Sequence, residues 1–134
     1  MSNKTEIFFP DGVIGFSNYK QYVIIPEKSK EPFYWMQSVK DSELSFIIIK
    51  PEEFKPDYQP VLSDADKSIL KINTVEDYQL FTIVSIAEGT NLISVNLLAP
   101  LVINFEENIG IQVVLQNQDY SVRDVLLDEI TKEV

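Results

Sequence analysis

The sequence predicts an all-β fold, a small antiparallel β-barrel-like domain with one short internal helix and a C-terminal helix. Three observations predict it. The 134 residues fit a single domain, residues 1–134, long enough to bury about two thirds of the surface its unfolded chain exposes. Short runs rich in aromatic and β-branched residues recur along the chain, separated by Pro, Gly, Asn and Asp. A helical period appears in only two short places, so the strands have few helices to connect them and must close largely on themselves.

The first strand is expected at Glu6-Ile7-Phe8-Phe9, stopped by Pro10-Asp11-Gly12, where proline presets φ and glycine accepts φ > 0. Val13-Ile14-Gly15-Phe16 reads as a further short β run, and Tyr22-Val23-Ile24-Ile25 as the next, ended by Pro26. Lys28 to Pro32 is a charged loop. Phe33 to Val39 and Leu44 to Ile49 form two strands with Asp41-Ser42 as their hairpin connection.

Between Pro51 and Pro60 the prolines, charges and aromatics show no period, and an irregular loop is expected. Ser63 to Lys71 then predicts a short helix, with Ser63 as cap and Asp66 three residues on, the spacing of a capping box. Thr74 and Asp77 repeat that spacing without a helical pattern behind them. Strand character returns at Leu80: Leu80, Thr82, Val84 and Ile86 fall on one face, with Phe81, Ile83 and Ser85 on the other. Gly89-Thr90-Asn91 breaks that strand.

Ile93 to Asn104 is the longest apolar stretch and reads as extended throughout. Asn108-Ile109-Gly110 turns it into a strand whose Ile111, Val113 and Leu115 face inward. Over residues 121–134 the period changes. Ser121 and Asp124 have capping spacing, and Val122, Val125, Leu126, Ile130 and Val134 make a helical stripe, with Asp124 early and Lys132 late to suit the dipole.

Composition removes most reactive chemistry. There is no histidine and no cysteine, so triads built on imidazole, disulfides and the usual zinc sites are excluded. The four glycines, Gly12, Gly15, Gly89 and Gly110, write neither nucleotide fingerprint. Glu52-Glu53 and Glu106-Glu107 are adjacent acids, but neighbours on an extended chain point to opposite faces and do not share a substrate. Neither an enzyme nor a cofactor is expected. A formal charge of −10, from 21 acids against 11 bases, argues against direct contact with nucleic acid, where cationic side chains supply the affinity. It suits a basic protein partner. No apolar run approaches a membrane span, and Met1-Ser2-Asn3-Lys4-Thr5-Glu6 is not the start of a signal peptide, so the expected address is the cytoplasm.

Val95-Asn96-Leu97-Leu98-Ala99-Pro100-Leu101-Val102-Ile103-Asn104 is similar to the most recognisable motif of the flagellar assembly factor FliW family. Further pieces stand around it in the family's order. Phe9 to Phe16 resembles the entry motif, and Pro32 to Val39 with Leu44-Ser45-Phe46 resembles the next two strands. Pro51, Asp57-Tyr58 and Tyr120-Ser121-Val122-Arg123 complete the pattern, which spans residues 9–123. The chain departs from it at both ends. Few residues precede the Phe-Pro motif, and the helical stripe continues to Val134, where it would cover an edge left by the short N-terminus.

The resemblance implies a cytoplasmic partner switch. The protein would bind flagellin and, once flagellin is secreted, would capture CsrA, a small dimeric RNA-binding repressor of flagellin translation, relieving repression. A rival reading is a generic β-barrel carbohydrate-binding module with Phe33, Tyr34 and Trp35 as a sugar platform, although core packing is the plainer role for these aromatics.

Candidate partner-binding residues follow from alternation in the family motif. Val95, Leu97, Ala99, Leu101 and Ile103 make an unbroken apolar face assigned to the core. Asn96, Leu98, Pro100, Val102 and Asn104 make the mixed face assigned to a partner, with Pro100 marking an edge or a bulge. The alternative is that the sheet curls and buries Leu98 and Val102 on a second packed face. Asp57 and Tyr58, on the irregular loop, are the second candidate surface; a tyrosine there also serves to plug the end of a core.

Overall fold

Among the described residues, alternation and turn chemistry generate nine strands, and pairing rather than helices organises them. The computed structural model describes residues 5–26, 32–87, 92–116, 119–122 and 124–125. In chain order the strands are β1 (Thr5–Phe8), β2 (Gln21–Pro26), β3 (Phe33–Ser38), β4 (Ser45–Ile49), β5 (Gln79–Ala87), β6 (Leu92–Val95), β7 (Leu101–Asn104), β8 (Ile109–Gln112) and β9 (Asp124–Val125). An α-helix, α1 (Asp64–Leu70), lies in the connection from β4 to β5.

Seven strands close a barrel in the order β4-β3-β2-β1-β8-β7-β5, and the ring is completed by β5 pairing with β4. Pairing is antiparallel except at the seam, where β1 meets β8 in parallel through Phe8 and Ile109. Beyond the ring, β6 extends the sheet from β5, and β9 extends it from β6.

Closure buries one face of each strand: Ile7, Phe9, Tyr22, Met36, Ile48 and Leu101 fill the interior. Two further clusters lie on the outside of the sheet. One gathers Phe33, Ile49, Tyr58, Val84, Val95 and Leu97. The other joins Leu62, Leu70 and Ile72 of the β4–β5 connection to Val102, Ile111, Val113 and Leu115. The expected inward face of Ile111, Val113 and Leu115 is therefore buried, against the connection rather than in the barrel lumen.

Local chemistry explains the turns. Ser63 Oγ accepts from Asp66 N–H at 3.0 Å and Asp66 Oδ2 accepts from Ser63 N–H at 3.3 Å, so the shorter aspartate completes the expected capping box. Thr74 and Asp77 form the same box over a single 3-10 turn, Val75–Asp77. Gly110 lies where an added Cβ would stand 2.9 Å from Phe9 Cζ, so its missing side chain makes room for that ring.

Four expectations are corrected. Val13 to Phe16 is no strand but a tight reversal with one isolated bridge, Val13 to Phe16. Gly12 and Gly15 drive it with φ of 67° and 87°, which favour glycine. The loop from Pro51 contains a 3-10 turn, Pro51–Glu53, begun by proline at its first position. The stretch 93–104 is divided, with β6 and β7 separated by residues 96–100. The C-terminal helix expected from Ser121 does not begin there, because Asp124–Val125 is a strand paired with Ser94 and Val95. Ser121 O instead accepts the N–H groups of Leu97 and Leu98. The open edge of β6 offers ladder bonds that an amphipathic stripe does not foresee. Residues 126–134, like the expected loop at 28–31 and the break at 89–91, lie outside the described residues.

Candidate protein-binding flank

The division at residues 96–100 arises on one edge of β5. Its first half pairs with β7, Phe81 opposite Leu101, and its second half with β6, Val84 opposite Val95. Between those pairs, Thr82 and Ile83 on β5 face the whole excursion 96–100. It behaves as an enlarged bulge.

Its backbone is held at nearly every group. Asn96 N–H reaches Ile83 O at 3.0 Å, and Asn96 Oδ1 accepts Leu98 N–H at 3.1 Å and Ala99 N–H at 3.0 Å. The first residue of the bend thus acts as an Asx turn. Leu97 N–H donates to Ser121 O at 2.9 Å. Gln112 Nε2 donates to Ala99 O at 3.1 Å, Leu115 N–H to Leu98 O at 2.9 Å and Val113 N–H to Pro100 O at 3.0 Å. Pro100 lacks a donor and stands where the β5 ladder is interrupted, so its missing N–H costs no pairing.

Tyr58 locks this bend from the opposite side. Its hydroxyl donates to Leu97 O. Its ring meets Tyr120 edge-on at 4.8 Å between centroids, and Tyr120 Oη accepts Gln59 N–H at 3.4 Å. Burial, and then the neighbouring Tyr120, pushes the Tyr58 hydroxyl well above its ordinary value, so it remains a neutral donor. Three segments far apart in sequence, around Tyr58, Leu97 and Tyr120, therefore form one flank.

The sequence-based candidates separate into display and support. Asp57 is exposed, and Asn96 and Leu98 are half-buried. Tyr58 and Pro100 are buried. Val102 is fully buried beneath the β4–β5 connection. Asn104 is buried too: its Nδ2 donates to Leu70 O at 2.8 Å and its Oδ1 accepts Glu106 N–H at 3.0 Å. Val102 and Asn104 thus hold the connection and the β7–β8 turn, and neither presents a surface to a partner. The curled-sheet alternative describes Val102, and Leu98 packs at the edge of the same cluster. Val95, Leu97, Ala99, Leu101 and Ile103 are all buried as expected, but not on one face: Val95 and Leu97 pack in the outer cluster with Tyr58, and Leu101 and Ile103 face the barrel interior.

Tyr120 and Ser121 belong to the flank although residue type alone did not mark them. Their signal was membership of the same motif set as Asp57-Tyr58 and 95–104. The sugar-platform arrangement is absent: Phe33 is buried, Tyr34 lies edge-on to Phe81 at 5.3 Å, and Trp35 alone of the three faces outward.

These features define a small closed β-barrel with two added strands and a tyrosine-locked bulge on its side. The match to known proteins is specific. A model of the FliW protein family matches residues 1–126. The flagellar assembly factor FliW of Caldicellulosiruptor saccharolyticus is 40% identical over 134 residues, covering 100% of this chain and 88% of that one. The factor of the same name from Alkaliphilus metalliredigens is 42% identical over 132 residues, covering 97% and 82%. A crystal structure of the flagellar assembly factor FliW superposes with a TM-score of 0.86 at 32% identity, over 96% of this chain and 90% of that chain. The chain belongs to the FliW family.

Proposed function

We propose that this protein is a cytoplasmic flagellar assembly factor that acts by binding rather than by catalysis. It holds flagellin, and when flagellin is exported it captures the CsrA dimer and relieves repression of flagellin synthesis. Family membership over residues 1–126 carries this reading. The convergence of Asp57-Tyr58, 96–100 and 120–121 on one flank supports it, because a surface fixed in advance loses little entropy on binding. The net charge of −10 supports the CsrA half: an acidic body beside an RNA-binding surface repels phosphate.

On this flank Asp57, Asn96 and Leu98 offer side chains to a partner, while Tyr58 and Pro100 shape the backbone that presents them. Titration calorimetry of the purified chain with flagellin and, separately, with CsrA tests the proposal. Saturable one-site binding to both is expected. Absence of binding to either at low salt would overturn it.

A further inference from the structure

A second surface lies away from this flank, at the barrel mouth where β1, β5 and β7 begin or end. Two adjoining hollows open there, of about 330 and about 250 Å³. They share Gln79 and Phe105 as a common wall. The apolar floor is an aromatic ladder rising out of the core. Tyr34 meets Phe81 edge-on at 5.3 Å, and Phe81 meets Phe105 edge-on at 6.3 Å. Phe81 is buried, whereas Phe105 is 39% exposed.

Phe105 occupies the first position after β7, in the turn that carries the chain to β8. A polar residue would close that turn equally well, since Asn104 Oδ1 already takes the N–H of Glu106. The turn is thus closed by Asn104, and the Phe105 ring, packed on Phe81 at one edge, leaves the remainder open at the rim.

Carboxylates surround it. Glu76, Asp77 and Glu106 line the larger hollow, and Glu52 accepts Gln79 Nε2 at 3.3 Å beside the smaller one. Asp77 is committed to capping Asn73 and Thr74. Glu76 and Glu106 are exposed, and no ion pair among the described residues engages either. Among the described residues that line the rim, the cation is Lys50, drawn over the Tyr34 ring at 5.5 Å.

We infer that this mouth docks a segment of a basic protein partner, which places an apolar side chain against Phe105 and Phe81 and its lysines or arginines against Glu76 and Glu106. An apolar anchor in a hollow ringed by opposite charge has the anatomy of an interface centre. The charge sign selects the partner, because an acidic segment would be repelled here. This inference rests on the proposed capture of CsrA, a basic partner on that reading, and assigns that contact to the mouth rather than to the Tyr58 flank.

The test is titration of the full chain with the CsrA dimer at low and high salt, repeated with Phe105→Ser and with the double variant Glu76→Lys, Glu106→Lys. The altered side chains are all exposed, and an unchanged melting curve verifies folding. Expected results are at least tenfold weaker binding for each, with the double variant also losing most of the salt dependence. Wild-type affinity in both variants would overturn the mouth while leaving CsrA capture intact. Loss of flagellin binding with CsrA binding retained would also overturn it. Failure of the wild type to bind CsrA would refute the underlying reading, and this inference with it.

Discussion

Replacing Tyr58 by phenylalanine removes one oxygen atom and isolates its role. The ring stays, and with it the edge-on contact to Tyr120. What is lost is the donor to Leu97 O, which among the described residues accepts no other hydrogen bond. Leu97 is 1% exposed, so water cannot replace the donor without opening the bend. A buried carbonyl left unpaired costs about 1–3 kcal/mol. For a domain of this size each kcal/mol lowers Tm by about 4 °C, so Tyr58→Phe is expected to melt about 4–12 °C below wild type. Thermal unfolding followed by circular dichroism measures the drop. Hydrogen exchange should show the amides of Leu97, Leu98 and Ala99 exchanging faster, with β2 and β3 unaffected. A melting temperature within a degree of wild type, with unchanged exchange at those amides, would refute the lock.

Three other perturbations have defined signs. Tyr22→Phe removes a buried hydroxyl without a hydrogen-bond partner among the described residues, and a gain of about 1 kcal/mol in urea unfolding is expected. Burial, and then Tyr19, raises the Tyr22 hydroxyl from 10.0 to about 12. The folded state therefore keeps a proton that the unfolded chain releases. Stability should be full below pH 10 and fall between pH 10 and 12, less steeply in Tyr22→Phe. Asp77 is held below the ordinary carboxylate value by the N–H groups of Asn73 and then Thr74. Its stabilisation is present above that value and lost as pH falls through the depressed one, so acid unfolding of Asp77→Asn should show a flatter limb below pH 4. Gly110→Ala places a methyl 2.9 Å from Phe9 Cζ and 3.2 Å from Ile103 Cγ1, both in fully buried side chains, and should lose about 1–3 kcal/mol by denaturant melt.

Much of the barrel was legible in the sequence because period two and turn chemistry are local properties. β2, β3, β4 and β5 fall where the alternating runs lie, and Ser63 with Asp66 marks α1 to the residue. What was not legible depends on pairs of segments distant in sequence. Val102 alternates with Leu101 and Ile103 like any outward residue, and only the packing of Leu62, Leu70 and Ile72 across it turns outside into inside. Asn104 looks like a surface amide until Leu70 O is found beside it. Residues 121–134 carry a helical stripe, yet Asp124–Val125 is a strand paired with the free edge of β6. The bulge at 96–100 hid in an apolar run because its cause, Asn96 capping its own successors, resembles an ordinary polar residue of a strand.

The shared edge of β5 ties the flank to the barrel. β7 must pair with Phe81 for the ring to close, and β6 must pair with Val84 for β9 to have an edge to join. The five residues of the excursion, 96–100, absorb the mismatch against Thr82 and Ile83. Shortening it would force either β6 or β7 out of register, and a slip of one residue turns every side chain of that strand to the other face. On β7 such a slip would exchange Leu101 and Ile103, which face the lumen, for Val102 and Asn104, which hold the connection. The bend's length is thus set by barrel closure, and Tyr58, Asn96 and Ser121 satisfy the backbone that this length exposes. A flank formed in this way is rigid for the same reason that the barrel is closed. Its proposed use as a binding surface would therefore add no ordering cost beyond that of folding.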